Sequence, residues 1–161
     1  MSETQESRQN AFVSYLEKHK DDRAMLAELR RGLGRAPGEV AGMFPYVVPF
    51  VNENRHDEDE LYLIASLFAL HPSSTLYGNL GAHLHDLAKS VGDDTATTRR
   101  FVQLLRQPRE NLDTALRQHI GLLKSKEIAV NWHQLFYDLR GWEHPARYVQ
   151  KQWASAYWRT N

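Results

Sequence analysis

Arg99-Arg100-Phe101-Val102-Gln103-Leu104-Leu105-Arg106-Gln107-Pro108-Arg109 is the stretch on which the fold of this 161-residue chain turns. Phe101, Leu104 and Leu105 fall at i, i+3 and i+4, which places them on one face of an α-helix. Arg99, Gln103 and Arg106 fall on another face, and Arg109 follows the break that Pro108 imposes. The spacing predicts a docked helix with an outward row of guanidinium groups. Four arginines occur in these eleven residues with no acid among them, and burying such a row unpaired would be strongly unfavourable. The row therefore faces solvent or a polyanion. On this reading Glu110 is the one acid within helical reach, and it serves Arg106 alone. A self-neutralising surface helix would interleave its signs.

Outward from this stretch, nearly every segment has the helical period and none alternates like a strand. Phe12, Tyr15, Leu16 and His19 mark a first helix. Asp21 or Asp22 caps a second, with Met25, Leu26, Leu29 and Leu33 inward and Gly32 as its C-terminal stop. A short helix holds Val40 and Met43, and Pro45 and Pro49 bracket an apolar corner. Asp57 to Glu60 open a helix that runs through Leu61, Ile64 and Phe68 to His71. Leu80, Leu84, Leu87 and Val91 form the next, ending near Gly92, and Asp94 or Thr97 caps the arginine helix. Beyond Pro108, Leu112, Ala115, Leu116 and Leu123 continue on a new axis. Trp132, Leu135, Phe136 and Leu139 give a helix between Asn131 and Gly141. Pro145 opens the last one, with Val149, Trp153 and Tyr157 inward. The expectation is an all-α fold, a compact bundle of about eight short helices. It is read as a single domain over residues 1–161, with any division into two small helical subdomains near 92–97.

Hydrophobic residues make up 42% of the chain, enough for a core, and charged residues 25%. Twenty bases balance twenty acids, which argues against a free-standing DNA-binding domain of uniformly basic surface. The charges are unevenly placed. Five acids (Glu53 and Asp57 to Glu60) lie between residues 52 and 60. Seven bases (Arg99, Arg100, Arg106, Arg109, Arg117, Lys124 and Lys126) lie between residues 99 and 126, against Glu110 and Asp113. Each region can attract its own partner despite the neutral total. Clustered cations on one helix face suit nucleic acid backbone. Arg30, Arg31 and Arg35 form a smaller cluster, suited either to phosphate or to a helix C-terminus.

Other chemistries find little support. With no cysteine, disulfides, Fe–S clusters and thiolate metal sites are excluded. Gly32-Leu33-Gly34 and Gly38 follow a helix rather than a strand and match neither phosphate-loop spacing. The consecutive acids Asp57 to Glu60 diverge around a helix and complement its N-terminus better than they would share a metal. His83 and His85 lie on different helix faces, so a zinc site is not expected. No catalytic motif is present, and neither catalytic residues, metal nor cofactor are expected. Trp132 and Trp153 read as core, whereas Trp142 and Trp158 are open to base stacking or subunit docking. No apolar run reaches membrane-span length and Met1 to Asn10 is polar, so a soluble cytoplasmic protein is expected.

Arg-Arg-Phe-Val-Gln-Leu-Leu-Arg at 99–106 resembles the R-R-x-x-x-L-[IL]-R helix of the CasB family, the small subunit of the type I-E CRISPR Cascade complex. The resemblance continues through Leu116-Arg117 and Val130-Asn131-Trp132, and upstream through Leu29-Arg30-Arg31 and the Phe44-Pro45 to Val48-Pro49 stretch. It implies a small, non-catalytic, all-helical antiviral-defence subunit that sits in two copies in a crRNA-guided surveillance complex. Its implied partners are DNA, both target and displaced strand, crRNA, other Cascade subunits and a second copy of itself. It carries Arg30, Arg31, Arg99, Arg100, Arg106 and Arg117 over as backbone-contacting positions that help to hold the R-loop. Arg35, Arg109, Lys124 and Lys126 join them on local charge alone. The acidic stretch at 57–60 departs from the family pattern.

The leading expectation is thus a DNA- and RNA-binding subunit without base readout. A protein-interaction scaffold, whose arginine patch meets an acidic protein surface, is the alternative. A metal-dependent nuclease is the weakest of the three.

Overall fold

The structure, a computed structural model, describes residues 9–160. The chain divides into two compact units, one running to Pro72 and one from Ser73 onward. The turn at 92–97, where a boundary was expected, lies inside the second unit. Among the described residues there are α-helices and short 3-10 turns but no strand. One isolated parallel bridge pairs Ser74 with Val130. Most of the polar Met1–Asn10 stretch lies outside the described residues.

The first unit contains α1 (Ala11–Lys18), α2 (Arg23–Arg30), α3 (Phe44–Val47) and α4 (Glu58–Leu70), with 3-10 turns at Ala41–Met43 and Val48–Phe50. Local chemistry sets the starts. The Asn10 side chain accepts from the Val13 N–H at 3.0 Å, and Asp22 accepts from Met25 N–H at 3.0 Å, each satisfying a donor that the first turn leaves free. Glu58, Asp59 and Glu60 occupy the first turn of α4, where negative charge complements the helix dipole. Residues Leu61 to Ala69 of α4 are all buried, so this helix is the unit's core rather than an amphipathic flank.

Two expectations here are corrected. Gly32 does not take the left-handed stop position after α2; Gly34 does, with φ of 76°. A Cβ at Gly32 would come within 2.6 Å of Met43 Sδ, so the end of the Met43 side chain would have to shift to admit one. Val40 and Met43 do not share a helix: Val40 caps the 3-10 turn that ends at Met43.

The second unit contains α5 (Leu80–Ser90), α6 (Thr95–Arg106), α7 (Leu112–Ser125), α8 (Trp132–Arg140) and α9 (Tyr148–Tyr157), with a 3-10 turn at Arg109–Asn111. Its most extensive helix pairing is α5 on α9. Leu84, Phe101, Leu116, Ile120, Trp132, Phe136, Val149 and Trp153 fill the interior, as the helical period predicts. Asn131 caps α8 by accepting from Gln134 N–H at 3.1 Å, and Gly141 closes it.

Four details of this unit differ from expectation. Val91, read as the end of an apolar row, is exposed beyond the last turn of α5. Asp94 holds the N-cap position of α6, one of the two expected, but its side chain makes no capping bond. The preceding Asp93 does that instead, its carboxylate accepting from Thr95 N–H at 3.0 Å and Thr95 hydroxyl at 2.8 Å. Pro145 lies before α9 rather than in its first turn, which starts from a left-handed Arg147 at φ 53°. Trp142, left open by the sequence, is buried against Trp153 at 5.0 Å between ring centroids.

Candidate nucleic-acid interface

The arginine helix is α6, and it is fixed by α9 and by the segment that leads into α9. Phe101 and Leu104 are buried while Arg99, Gln103 and Arg106 are exposed, the two faces that the spacing predicts. The Phe101 ring stacks on Tyr157 of α9 at 4.3 Å, and the Tyr157 hydroxyl lies 2.7 Å from Thr98 Oγ1. At the helix's C-terminal end, Arg147 donates to the Leu105 carbonyl at 2.8 Å and the Trp142 indole N–H donates to the Gln107 carbonyl at 2.8 Å. Two carbonyls at the end of the helix are thereby satisfied by side chains remote in sequence. The cationic face is presented on a rigid support.

The bases then separate by their partners. Arg99, Arg100, Arg106 and Arg117 make no ion pair among the described residues, and neither do Lys124 and Lys126 at the exposed end of α7. Arg109 is different: its guanidinium meets Asp113 at 3.0 Å. Both parts of the expectation about Glu110 are corrected. The helix ends at Arg106 and Gln107 is extended, so Glu110 does not pair with Arg106. The 3-10 turn after Pro108 runs into α7 and brings Asp113 to Arg109. Arg35 pairs with Glu39 at 3.0 Å, and Arg31 approaches Glu28 at 3.7 Å. Arg30 donates to the Ala69 carbonyl at 3.3 Å, so it serves the C-terminal end of α4 rather than that of its own helix. These three belong to the first unit, and the other bases belong to the second.

Between α6 and α7 lies an open groove of about 230 Å³, lined by Arg99, Arg100, Gln103, Gln107, Gln118 and His119, with Leu104 and Ala115 between them. Of the ten basic positions singled out from sequence, only Arg99 and Arg100 line it. His119 is buried at 3% exposure, and its Nδ1–H donates to the Ala115 carbonyl at 2.7 Å. Burial first, and the nearby Arg100 charge as a lesser influence, push its pKa below the ordinary histidine value, against an upward pull from the Ala115 and Arg100 carbonyls. The neutral ring is therefore the working form. Sequence reasoning passed over His119, although its place one helical turn after Leu116 and before Leu123 signals an inward residue.

His83 and His85 hold structural bonds. His83 Nε2 accepts from the buried Asn131 N–H at 3.0 Å, and desolvation lowers its pKa to about 4. His85 Nδ1 lies 2.8 Å from the Tyr157 carbonyl. Among the acids, Glu58 pairs with Arg55 at the start of α4. No group of three or more metal-ligating side chains converges among the described residues. No helix among them is long and apolar enough to cross a membrane. Trp158 remains 49% exposed, tilted against Phe101 at 5.4 Å.

The second unit thus offers a cationic, partly amide-lined face on two packed helices. A family model described as CRISPR-associated protein Cse2 matches residues 25–158. A Thermus thermophilus protein described as CRISPR-associated protein Cse2 is 31% identical over 153 residues, covering 91% of this chain and 88% of that protein. Among solved structures, CasB from Thermus thermophilus matches with a TM-score of 0.78 at 29% identity, covering 92% of this chain and 94% of that one. M. ruber CasB matches with a TM-score of 0.77 at 31% identity, covering 94% and 93%. A chain of a CRISPR RNA-guided surveillance complex matches with a TM-score of 0.75 at 27% identity, covering 91% and 89%.

Proposed function

This chain belongs to the CRISPR-associated Cse2 family, and on that premise we propose that it is a non-catalytic subunit of a crRNA-guided surveillance complex. In this reading it is the small subunit of a type I-E Cascade assembly in the cytoplasm, present with a second copy of itself. Its second unit contacts nucleic acid backbone through α6 and α7 and steadies the R-loop, the displaced strand in particular.

The observation that carries the reading is the set of Arg99, Arg100, Arg106 and Arg117, none of them ion-paired among the described residues and all on two adjoining helices. Cations not engaged by an acid keep their attraction for phosphate, whereas paired ones would first have to give up a partner. Lys124 and Lys126 extend the same helix pair. Arg30, Arg31, Arg35 and Arg109 are secondary contacts, since each already serves a local group. R-loop formation exchanges one duplex for another of nearly equal stability, so a few backbone contacts suffice to bias it. Backbone capture of this kind is independent of sequence and sensitive to salt.

The test is to change Arg99, Arg100 and Arg106 together to Ala or to Glu and titrate single- and double-stranded DNA across salt, alone and in the assembled complex. Loss of affinity with a shallower salt slope is expected. Unchanged affinity and slope in a folded variant would remove the nucleic-acid role. A dimer dissolved by high salt, with no DNA bound, would favour the scaffold alternative.

A further inference from the structure

Within the groove between α6 and α7, the side chains offer more than a phosphate needs. Arg99 and Arg100 supply positive charge and planar guanidinium groups, which bind phosphate or stack on a base. Gln103, Gln107 and Gln118 add side-chain amides, each with a donor and an acceptor. Gln107 spends its NH₂ on the Gln103 carbonyl at 3.0 Å, so toward the groove it has chiefly its carbonyl oxygen to offer. His119 adds a second acceptor. Its Nδ1 carries the proton donated to Ala115, and its buried Nε2 then has only a lone pair, which the Arg100 carbonyl beside the ring cannot satisfy. Buried polar atoms in folded proteins are nearly always satisfied, and an orphan calls for an explanation.

A bare phosphate has only acceptor oxygens to offer at neutral pH, so it leaves the His119 lone pair and the Gln107 carbonyl unsatisfied. A nucleobase edge presents donors and acceptors side by side. We propose that this groove is a subsite for one splayed nucleotide of a single strand, its phosphate on Arg99 or Arg100 and its base edge on Gln118, Gln107 and His119. The inference rests on the backbone-binding reading above and adds a base to it. At about 230 Å³ the groove falls below the usual size of a pocket for a drug-sized ligand, in keeping with one nucleotide rather than a run. The base enters from a strand already unpaired, since a base held in a duplex hides its edge.

The full-length chain is titrated at low salt with two fluorescent single strands of equal length and equal phosphate count, oligo(dC) and a fully abasic strand. Binding of oligo(dC) about tenfold tighter is expected, the lower end of what one stacked, hydrogen-bonded base contributes. Gln118→Ala and His119→Phe should each bring that ratio toward one. Gln118 is exposed, so its variant decides the question if the His119 variant fails to fold. Equal binding of both strands by the unaltered chain, or a ratio that neither variant moves, overturns the base subsite and leaves the backbone reading standing. Failure to bind either strand overturns both.

Discussion

The ring of Phe101 lies against that of Tyr157 with centroids 4.3 Å apart and planes 21° from parallel. This stack fixes the arginine helix to α9 and so decides where its cations point. Phe101 is fully buried, and Phe101→Ala should cost about 3–5 kcal/mol of stability. Tyr157→Phe keeps the stack and removes only the hydroxyl contact with Thr98, at a cost of about 1 kcal/mol. Urea unfolding midpoints of the two variants measure the difference. A Phe101→Ala cost no larger than that of Tyr157→Phe would show that α6 is held elsewhere.

The separation of paired from unpaired arginines makes a prediction about salt. Each cation that neutralises a single-strand phosphate contributes about 0.7 to the slope of log affinity against log salt. Removing Arg99, Arg100, Arg106 and Arg117 together should therefore reduce that slope by roughly 3. Removing Arg35 and Arg109, which face Glu39 and Asp113 at 3.0 Å, should change it by clearly less per residue. Fluorescence titrations of a labelled oligonucleotide at four or more salt concentrations supply the slopes. Equal effects of the two sets would mean that ion pairing within the chain does not select the contacts.

His83 links stability to pH with a definite sign. Folded, it titrates at about 4, because burial disfavours its charge while its Nε2 accepts from Asn131; unfolded, it titrates near 6.5. Between these values the unfolded chain binds more protons, so stability rises with pH there. The contribution is complete above about pH 6.5 and is lost as pH falls toward 4, by roughly 3 kcal/mol in all. His119 is shifted in the same direction and steepens the loss. Urea midpoints between pH 7 and pH 4, for the unaltered chain and for His83→Gln, should show a shallower dependence in the variant. Parallel curves would remove His83 as a contributor.

These effects show which parts of the molecule can be read from sequence. The faces of α6 follow from spacing alone, because a docked helix must put Phe101 and Leu104 inward wherever it docks. Asn131 and Gly141 were legible as boundaries of α8, because capping is local chemistry. What a remote residue supplies was not legible. Nothing near residue 106 announces that Arg147 and Trp142 satisfy the end of α6, and nothing near residue 72 announces a boundary between units. The Arg109–Asp113 pair lies wholly beyond Pro108, where the 3-10 turn runs straight into α7, so its i,i+4 spacing is legible in the sequence after all. The arginines were visible as a charge row. The groove beside them was not, since it exists only where α6 and α7 meet and its floor is a histidine that a charge count leaves out.

Gly81 gives the sharpest test of how the second unit is assembled. It is buried within α5, where glycine is a poor helix former, so on propensity alone Gly81→Ala should stabilise by about 1 kcal/mol. The structure predicts the opposite sign. A Cβ at this position would run into the backbone carbonyl of Trp153, and backbone of a packed helix cannot swing aside as a flexible side chain can. The added methyl must push α9 away from α5, and α9 carries Trp153 and Tyr157, the latter holding Phe101. The cost should be about 1–3 kcal/mol or more, typical of overpacking. It should be accompanied by weaker single-strand binding, because the support of α6 moves with α9. Gly121 in α7 is the internal comparison: no atom lies within 4 Å of a Cβ there, so Gly121→Ala should be neutral or stabilising. Thermal midpoints of the two variants with opposite signs would establish close α5–α9 contact at Gly81. A stabilising Gly81→Ala would refute it.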